Sequence, residues 1–329
     1  MPPSATEHLS CHLDLVFDWT YAHDRADLRA LYEKAKRNQW LPDEVLPWET
    51  DVDLEKPAAP EWLHPLFGTE LLARLSPAER TRLDIELNTW TLSQFLHGEQ
   101  GALLAASQLV QVVPDTDSKC YAATQVVDEA RHVEVYERYL QEKVGFSYPI
   151  NRHLKTLLDL ILQDSRWDMK LLGMQVMVEG LALAAFGMIR QHTLEPLLRE
   201  LTHHVMLDEA RHVAYGILSL RDHYGDLPER EVAEREDFVY EAAVLMRDRF
   251  LFQEVWEKQG LPVEECVGIT FRAEGQRMFR QLLFSKIVPA VKKIGLLSER
   301  QRARFAELGI LQFESWADPF ADLEIKPAT

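Results

Sequence analysis

The chain has 329 residues, 47% hydrophobic and 27% charged, enough to bury a sizeable core. Its net charge of −17 argues against nucleic acid and anionic membrane surfaces as partners. Three scattered cysteines, Cys11, Cys120 and Cys266, form no Cys-x-x-Cys pair, which argues against a rubredoxin-type or zinc site and fits a reducing cytoplasm. No basic region followed by an apolar run opens the chain, so no signal peptide is expected.

Residues 1–75 are expected to form an N-terminal arm rich in Pro and Trp. It carries a short helix near Asp24–Arg37, then a Pro-punctuated stretch beginning Gln39-Trp40-Leu41-Pro42. Ser76-Pro77-Ala78-Glu79 opens a long helix, with Ser76 as N-cap, Pro77 at the first helical position and Glu79 completing a capping box. That helix carries Glu99 among mostly apolar neighbours. A break at Pro114 leads to a second helix bearing Asp128-Glu129-Ala130-Arg131-His132-Val133. Gly145-Phe146-Ser147-Tyr148-Pro149 ends it, and residues 150–165 cross over to a third helix. There the apolar stretch Gly173–Ile189 is short for a membrane span and carries Gln175 and Glu179, so it reads as a buried core helix. Past a break near Pro196, a fourth helix repeats the motif as Asp208-Glu209-Ala210-Arg211-His212-Val213. Residues 226–329 are expected to add peripheral helices: one to about Lys258, one from Gly260-Leu261-Pro262 through Lys293, and a short last one after Ser298.

The two motif copies are identical and stand 80 positions apart. On a helix, Glu and His three apart share a face, so each copy aims a carboxylate and an imidazole at one point. Glu99 lies thirty residues before Glu129, and Glu179 thirty before Glu209. Residues level with each other in an antiparallel hairpin are equidistant from its turn. The midpoints are 114 and 194, and both fall at helix breakers. Each pair then sits on the order of 22 Å from its turn. Two packed hairpins bring Glu99, Glu129, His132, Glu179, Glu209 and His212 to one level of a four-helix bundle, a coincidence that chance charge pairs on two surface helices do not explain. Four buried carboxylates would be very costly alone, whereas two divalent metal ions neutralise them.

This pattern, a Glu from each of two helices and Glu-x-x-His from each of the other two, resembles the ferritin-like di-iron carboxylate superfamily over roughly residues 80–225. The resemblance implies an all-α fold: a ferritin-like four-helix bundle over residues 76–225 with extra N- and C-terminal helices in one domain. It implies two Fe ions as cofactor, Mn/Fe being the other arrangement, and O2 as co-substrate. The Gln39-Trp40-Leu41-Pro42-Asp43-Glu44-Val45 segment resembles one that precedes the first bundle helix in ribonucleotide reductase small subunits and their oxidase relatives. There the Trp hydrogen-bonds to the Asp of the second motif, here Trp40 to Asp208; the plainer alternative is that Trp40 covers an apolar helix surface. The resemblance also implies that Asp208 orients His132 and Asp128 orients His212. Arg131 and Arg211 follow these aspartates by three residues and are spaced to pair with them. Tyr136, four residues after His132, has the spacing of the radical tyrosine of reductase small subunits; the alternative is an ordinary core tyrosine. Arylamine N-oxygenases of the superfamily carry an additional His ligand four residues before the last Glu. Val205 stands there, which points away from that branch.

The two halves differ where substrate is expected. Gln125 and Tyr136 on the second helix correspond to Val205 and Gly216 on the fourth, so a pocket is expected at Val205, Gly216, Gln125 and Gln175. Gly173, Gly180 and Gly187 thin the third helix, either for substrate or for close packing. The expected function is a di-iron, O2-activating oxygenase or oxidase of a small organic substrate. Hydroxylation, N-oxygenation, desaturation and related oxidations all fit. An external electron donor such as a ferredoxin or a reductase is implied, and a homodimer is left open. The second reading is a radical-generating subunit. Against it stand Glu99, where that family has Asp, and a closing ESWADPFADLEIKPAT without its partner-binding tail. The third is a non-catalytic iron-binding protein, disfavoured by the extended ends.

Overall fold

In the computed structural model, which describes residues 6–316, the first bundle helix runs Pro77–Val112. Its start follows the expected chemistry. Ser76 Oγ accepts from the Glu79 N–H at 3.3 Å, and Glu79 Oε2 accepts from the Ser76 N–H at 2.7 Å. The second bundle helix, Thr116–Arg138, is capped by Asp115, which accepts from the Ser118 N–H at 2.8 Å. The third is Trp167–His192, and the fourth Pro196–Leu220, capped by Glu195. Both hairpin turns therefore fall where the breakers stand, at 113–115 and 193–195. The hairpins pack against each other, making an all-α, ferritin-like bundle with no strand among the described residues. The third helix is long and apolar enough to cross a membrane by composition, but 78% of its apolar window is buried inside the protein.

The crossover between the two hairpins contains a helix of its own, Arg152–Gln163. Leu154, Leu157, Leu158, Ile161 and Leu162 face inward on it. Leu158 and Ile161 explain two glycines: a Cβ on Gly101 would stand 2.6 Å from Leu158 Cδ2, and one on Gly173 2.5 Å from Ile161 Cγ1. At Gly173 the thin third helix serves packing. The third helix also departs from regular α geometry: Leu172–Val178 is a π-helical segment, ending immediately before Glu179. Such segments are rare and frequent at functional sites.

The C-terminal helices are shorter than expected. The helix expected to reach Lys258 runs only Glu229–Asp248; Phe252, at φ +56°, turns the chain before Gln253–Lys258. The one expected through Lys293 is three helices, Val263–Arg272, Glu274–Leu282 and Ile287–Lys293. Ala273 has non-helical dihedrals between the first two. Pro289, which has no N–H to donate, is accommodated in the first turn of the third. The last helix, Glu299–Glu307, lies where a short one was expected, and Ser298 caps it by accepting from the Gln301 N–H. At the other end, helix Ala26–Arg37 buries Leu28, Leu31 and Ala35 and packs on the second and fourth bundle helices. It delivers Gln39 and Trp40 to the back of the bundle's centre.

Candidate metal centre

All six expected ligands lie within the bundle and are buried. Ligand atoms of Glu99, Glu129, His132 and Glu209 lie within 4.8 Å of one another. Those of Glu129, Glu179 and His212 form a second such group, so Glu129 belongs to both. Each imidazole presents Nδ1 to the carboxylates. His132 Nδ1 is 3.3 Å from Glu99, 3.4 Å from Glu129 and 3.2 Å from Glu209. His212 Nδ1 is 3.1 Å from Glu129 and 3.7 Å from Glu209. Glu129 Oε2, Glu179 Oε2, both Glu209 oxygens and His212 Nδ1 are buried without a hydrogen-bond partner. Orphaned polar atoms of this kind are expensive unless something else satisfies them. Carboxylate oxygens and imidazole nitrogens converging in two groups fit a pair of transition-metal ions.

Behind each imidazole stands the aspartate of the opposite motif. Asp208 Oδ2 lies 3.2 Å from His132 Nε2, and Asp128 Oδ2 lies 3.3 Å from His212 Nε2. Arg131 donates to Asp128 at 2.5 Å and to Asp208 at 2.9 Å; Arg211 donates to Asp208 at 2.5 Å and to Asp128 at 3.0 Å. The doubled motif thus closes into a buried four-member ring of alternating charge. Trp40 Nε1 donates to Asp208 at 2.8 Å, its ring lying under the Arg131 guanidinium at 4.6 Å and against His204 at 5.1 Å. Sequence reading missed Gln39, which does for the first motif what Trp40 does for the second. Its Nε2 donates to Asp128 at 2.8 Å, while its Oε1 accepts from Arg131. Its adjacency to Trp40 was the available signal. His97 turns away from the centre, to the Tyr148 carbonyl at 2.8 Å.

The sequence model of the AurF family, described as P-aminobenzoate N-oxygenase AurF, matches residues 22–295. The chain belongs to the AurF family. As a member it is an oxidoreductase that acts on a small organic substrate, and the non-catalytic alternative falls away. The inference drawn from Val205 is corrected: an AurF-family chain stands without His at that position, and Val205 is fully buried. No curated protein matches the chain. Among solved structures, an R2-like ligand-binding oxidase with an aerobically reconstituted Mn/Fe cofactor is 19% identical, with 84% of this chain and 95% of that one aligned and a TM-score of 0.55. A single-substitution variant of the R2-like oxidase with an anaerobically reconstituted Mn/Fe cofactor is 21% identical, with 87% and 100% aligned and a TM-score of 0.51. These likenesses establish the ferritin-like fold.

The expected open side of this AurF-family site is not open, and that expectation is corrected. Gly216 is a point of helix contact, where an added Cβ would lie 2.7 Å from Gln175 Cβ and 3.4 Å from Val176 Cγ2. Gln125 and Gln175 are buried braces instead: Gln125 Nε2 donates to Glu129 at 3.0 Å and to Glu179 at 2.8 Å. Gln175 Nε2 reaches Gln125 Oε1 at 3.4 Å. The cavity that reaches the carboxylates lies between the first and third helices. It encloses about 20 Å³ and is lined by Glu99, Glu179 and Glu209 together with Phe95, Leu181 and Arg249. Tyr136 is fully buried, with ring centroids 6.1 Å from Phe95 and 6.0 Å from Phe186, and its hydroxyl has no hydrogen-bond partner. Burial and the Glu99 charge hold its pKa well above the ordinary phenol value.

The electrostatics of the cluster yield a test. Burial works against charge on His132 and His212, yet the surrounding carboxylates outweigh it and raise both pKa values well above 6.5. Burial, reinforced by the Glu209 charge, raises Glu99 and Glu179 well above 4.5. The metal-free centre therefore holds protons at neutral pH that metal ions must displace. The sign follows: raised imidazole pKa values stabilise the metal-free chain fully below pH 6.5, and that stability is lost as pH rises through the folded values. Loading at pH 7 should release at least about two protons per chain, and apparent affinity should fall as pH is lowered. An indicator dye in a weakly buffered anaerobic metal titration reads this directly; loading without proton release would contradict it.

Proposed function

We propose that Glu99, Glu129, His132, Glu179, Glu209 and His212 hold two iron ions, with Mn/Fe the other arrangement, and that the loaded chain oxygenates the nitrogen of a small amine. The observation that carries this reading is the pair of buried ligand groups sharing Glu129. The ions would supply O2 reduction. The chain's own part is to hold and orient: Asp208 and Asp128 fix His132 and His212, Gln125 braces Glu129 and Glu179, and the apolar wall keeps water out. In N-oxygenation one oxygen atom joins the amine nitrogen and the other leaves as water, consuming two electrons and two protons. An external donor such as a ferredoxin or a reductase supplies the electrons, in a cytoplasmic setting, and a homodimer is compatible with this chemistry. P-aminobenzoate, named in the family's description, is the first compound to test.

Purified chain reconstituted anaerobically with Fe(II) should retain about two metal ions. Glu129→Ala should lose both, since Glu129 belongs to both groups. Exposure to O2 with a reductant and p-aminobenzoate should give a product heavier by one oxygen. Trace metal only, in the unsubstituted chain, would sink the proposal. The unpartnered Tyr136 hydroxyl favours a second reading, the radical-generating one, in which a tyrosyl radical signal appears after O2 exposure and is lost in Tyr136→Phe.

A further inference from the structure

Beside the turn of the second hairpin lies a pocket that the metal centre does not use. It encloses about 160 Å³ between residues 58–65 of the N-terminal arm, the first bundle helix, the turn at Thr193 and helix Glu274–Leu282. The Ala58 carbonyl ties the arm to that turn, accepting from the Leu194 N–H at 2.9 Å and from the Thr193 hydroxyl at 3.3 Å. Leu87, Ile189, Leu198, Phe252 and Phe279 make the wall apolar, and Asn88, Met188 and His192 at the rim are half-buried. Asp84, in its polar corner, precedes Glu99 by fifteen residues on the same helix, about 22 Å along the axis.

Two polar groups in that corner are left over. His64 is 6% exposed, and its Nδ1 accepts from the Leu66 N–H at 2.9 Å, so the neutral ring carries its proton on Nε2. That Nε2–H is a buried donor without an acceptor. Burial, with the Arg80 charge beside it, holds the imidazole pKa down at about 4, so the ring is neutral. Asp84 Oδ1 faces it at 3.8 Å, too far for a hydrogen bond, and the Asp84 carboxylate accepts none from the described residues. Burial and the Glu61 charge raise the Asp84 carboxyl to about 6, which leaves it mostly ionised at neutral pH. Thr91 and Gln276, also on the wall, are engaged with the carbonyls of Leu87 and Leu63, each at 2.9 Å. A buried donor left short of the acceptor it faces is costly unless something fits between them.

We propose that this pocket is a second small-molecule site, whose occupant is an uncharged aromatic alcohol about the size of phenol, with its hydroxyl between His64 Nε2 and Asp84 Oδ1. One oxygen at ordinary hydrogen-bond length from both atoms spans a gap of 3.8 Å, accepting from the imidazole and donating to the carboxylate. The size follows from the volume, since an apolar cavity of about 150 Å³ takes up benzene. The class follows from the polarity. An ammonium cannot accept from the Nε2–H, and a carboxylate cannot donate to Asp84 and would meet its charge. An acid such as p-aminobenzoate is therefore not the occupant. The inference stands independently of the metal reading.

The test titrates the full chain, with and without Fe(II) and under anaerobic conditions, with phenol and with toluene, which carries a methyl group in place of the hydroxyl. Calorimetry reads the affinities, and the methyl NMR signal of Met188 on the rim reads where the ring sits. Phenol should shift that signal equally with and without iron. Asp84→Ala should weaken phenol binding by about 10–100-fold, the range of a hydrogen bond to a charged group, and leave toluene unchanged. Asp84 is partly exposed and makes no hydrogen bond, so this variant should melt like the parent. His64→Phe, which also removes the Leu66 contact, should lower the phenol-to-toluene ratio by about 3–10-fold. Absence of phenol binding, an unmoved Met188 signal or equal losses of phenol and toluene in Asp84→Ala overturns the proposal and leaves a water as the bridge. A folded His64→Phe chain that keeps the parent's ratio overturns it as well. So does phenol that binds only with iron and is indifferent to Asp84, because it then belongs to the metal centre.

Discussion

Asp208→Asn should weaken metal retention and O2 turnover by about 10–100-fold, the usual consequence of removing the group that orients a ligand. The geometry says why an isosteric change is harmful. Asp208 Oδ2 lies within hydrogen-bonding reach of three nitrogens, Trp40 Nε1, Arg131 and His132 Nε2, while Oδ1 accepts from Arg211 at 2.5 Å. An asparagine that keeps its oxygen toward the first three must turn its NH2 into the Arg211 guanidinium, donor against donor. Flipped, it points the same NH2 at three nitrogens. Either way the His132 imidazole loses the anion that fixes its Nδ1 toward the carboxylates. Folding is partly protected, because both arginines keep Asp128. Asp128→Asn should act symmetrically through His212, so the two variants should each weaken a different ion of the pair. Metal stoichiometry against concentration, with a thermal melt on the same samples, checks this. Full metal retention and unchanged O2 consumption in Asp208→Asn would remove the residue from the proposed mechanism.

Most of the bundle was legible because its signals are local and doubled. The repeated Asp-Glu-Ala-Arg-His-Val motif, the two Glu thirty residues upstream and the breakers at the midpoints fix helix register by arithmetic. Ser76 and Glu79 announce a helix start through a contact spanning three residues. What was not legible depends on who packs against whom. The π segment Leu172–Val178 continues the helix begun at Trp167 and leaves no mark in hydrophobic spacing. Gly216 read as open space because a missing side chain looks the same whether a cavity or a neighbouring helix takes its place. Arg249 was invisible for a related reason. It lies beside Asp248 within the helix expected to run to about Lys258, and only the turn at Phe252 accompanies its burial. Gln39 shows the limit from the other side: it is exposed in the chain, yet two of its contacts reach the buried ring behind His212.

Gly216→Leu should destabilise the fold and strip metal from the site. A Cβ alone would stand 2.7 Å from Gln175 Cβ and 3.6 Å from the Gln175 backbone carbon, so the first added atom already forces movement. Leucine adds three more carbons in the same direction. Helix propensity favours the change by about 0.8–1 kcal/mol, but overpacking a closed helix contact typically costs about 1–3 kcal/mol, and here the contact is with backbone as well as side chain. The strain has a direction. Gln175 lies inside the π segment four residues before Glu179, and its amide reaches Gln125 Oε1 at 3.4 Å and Glu179 Oε1 at 3.5 Å. Pushing Gln175 away from the fourth helix therefore pulls on the brace that holds Glu179 beside His212. Gly98→Ala is the control: it lies on the first bundle helix, one residue before Glu99, and its added Cβ meets nothing within 4 Å. That variant should gain up to about 1 kcal/mol from propensity and keep its metal. A melting temperature several degrees lower with a reduced iron count in Gly216→Leu, beside an unchanged or higher one in Gly98→Ala, is the expected pair. A Gly216→Leu chain that melts like the parent and holds two ions would mean that the third and fourth helices can part at this level, and that the space first expected there exists.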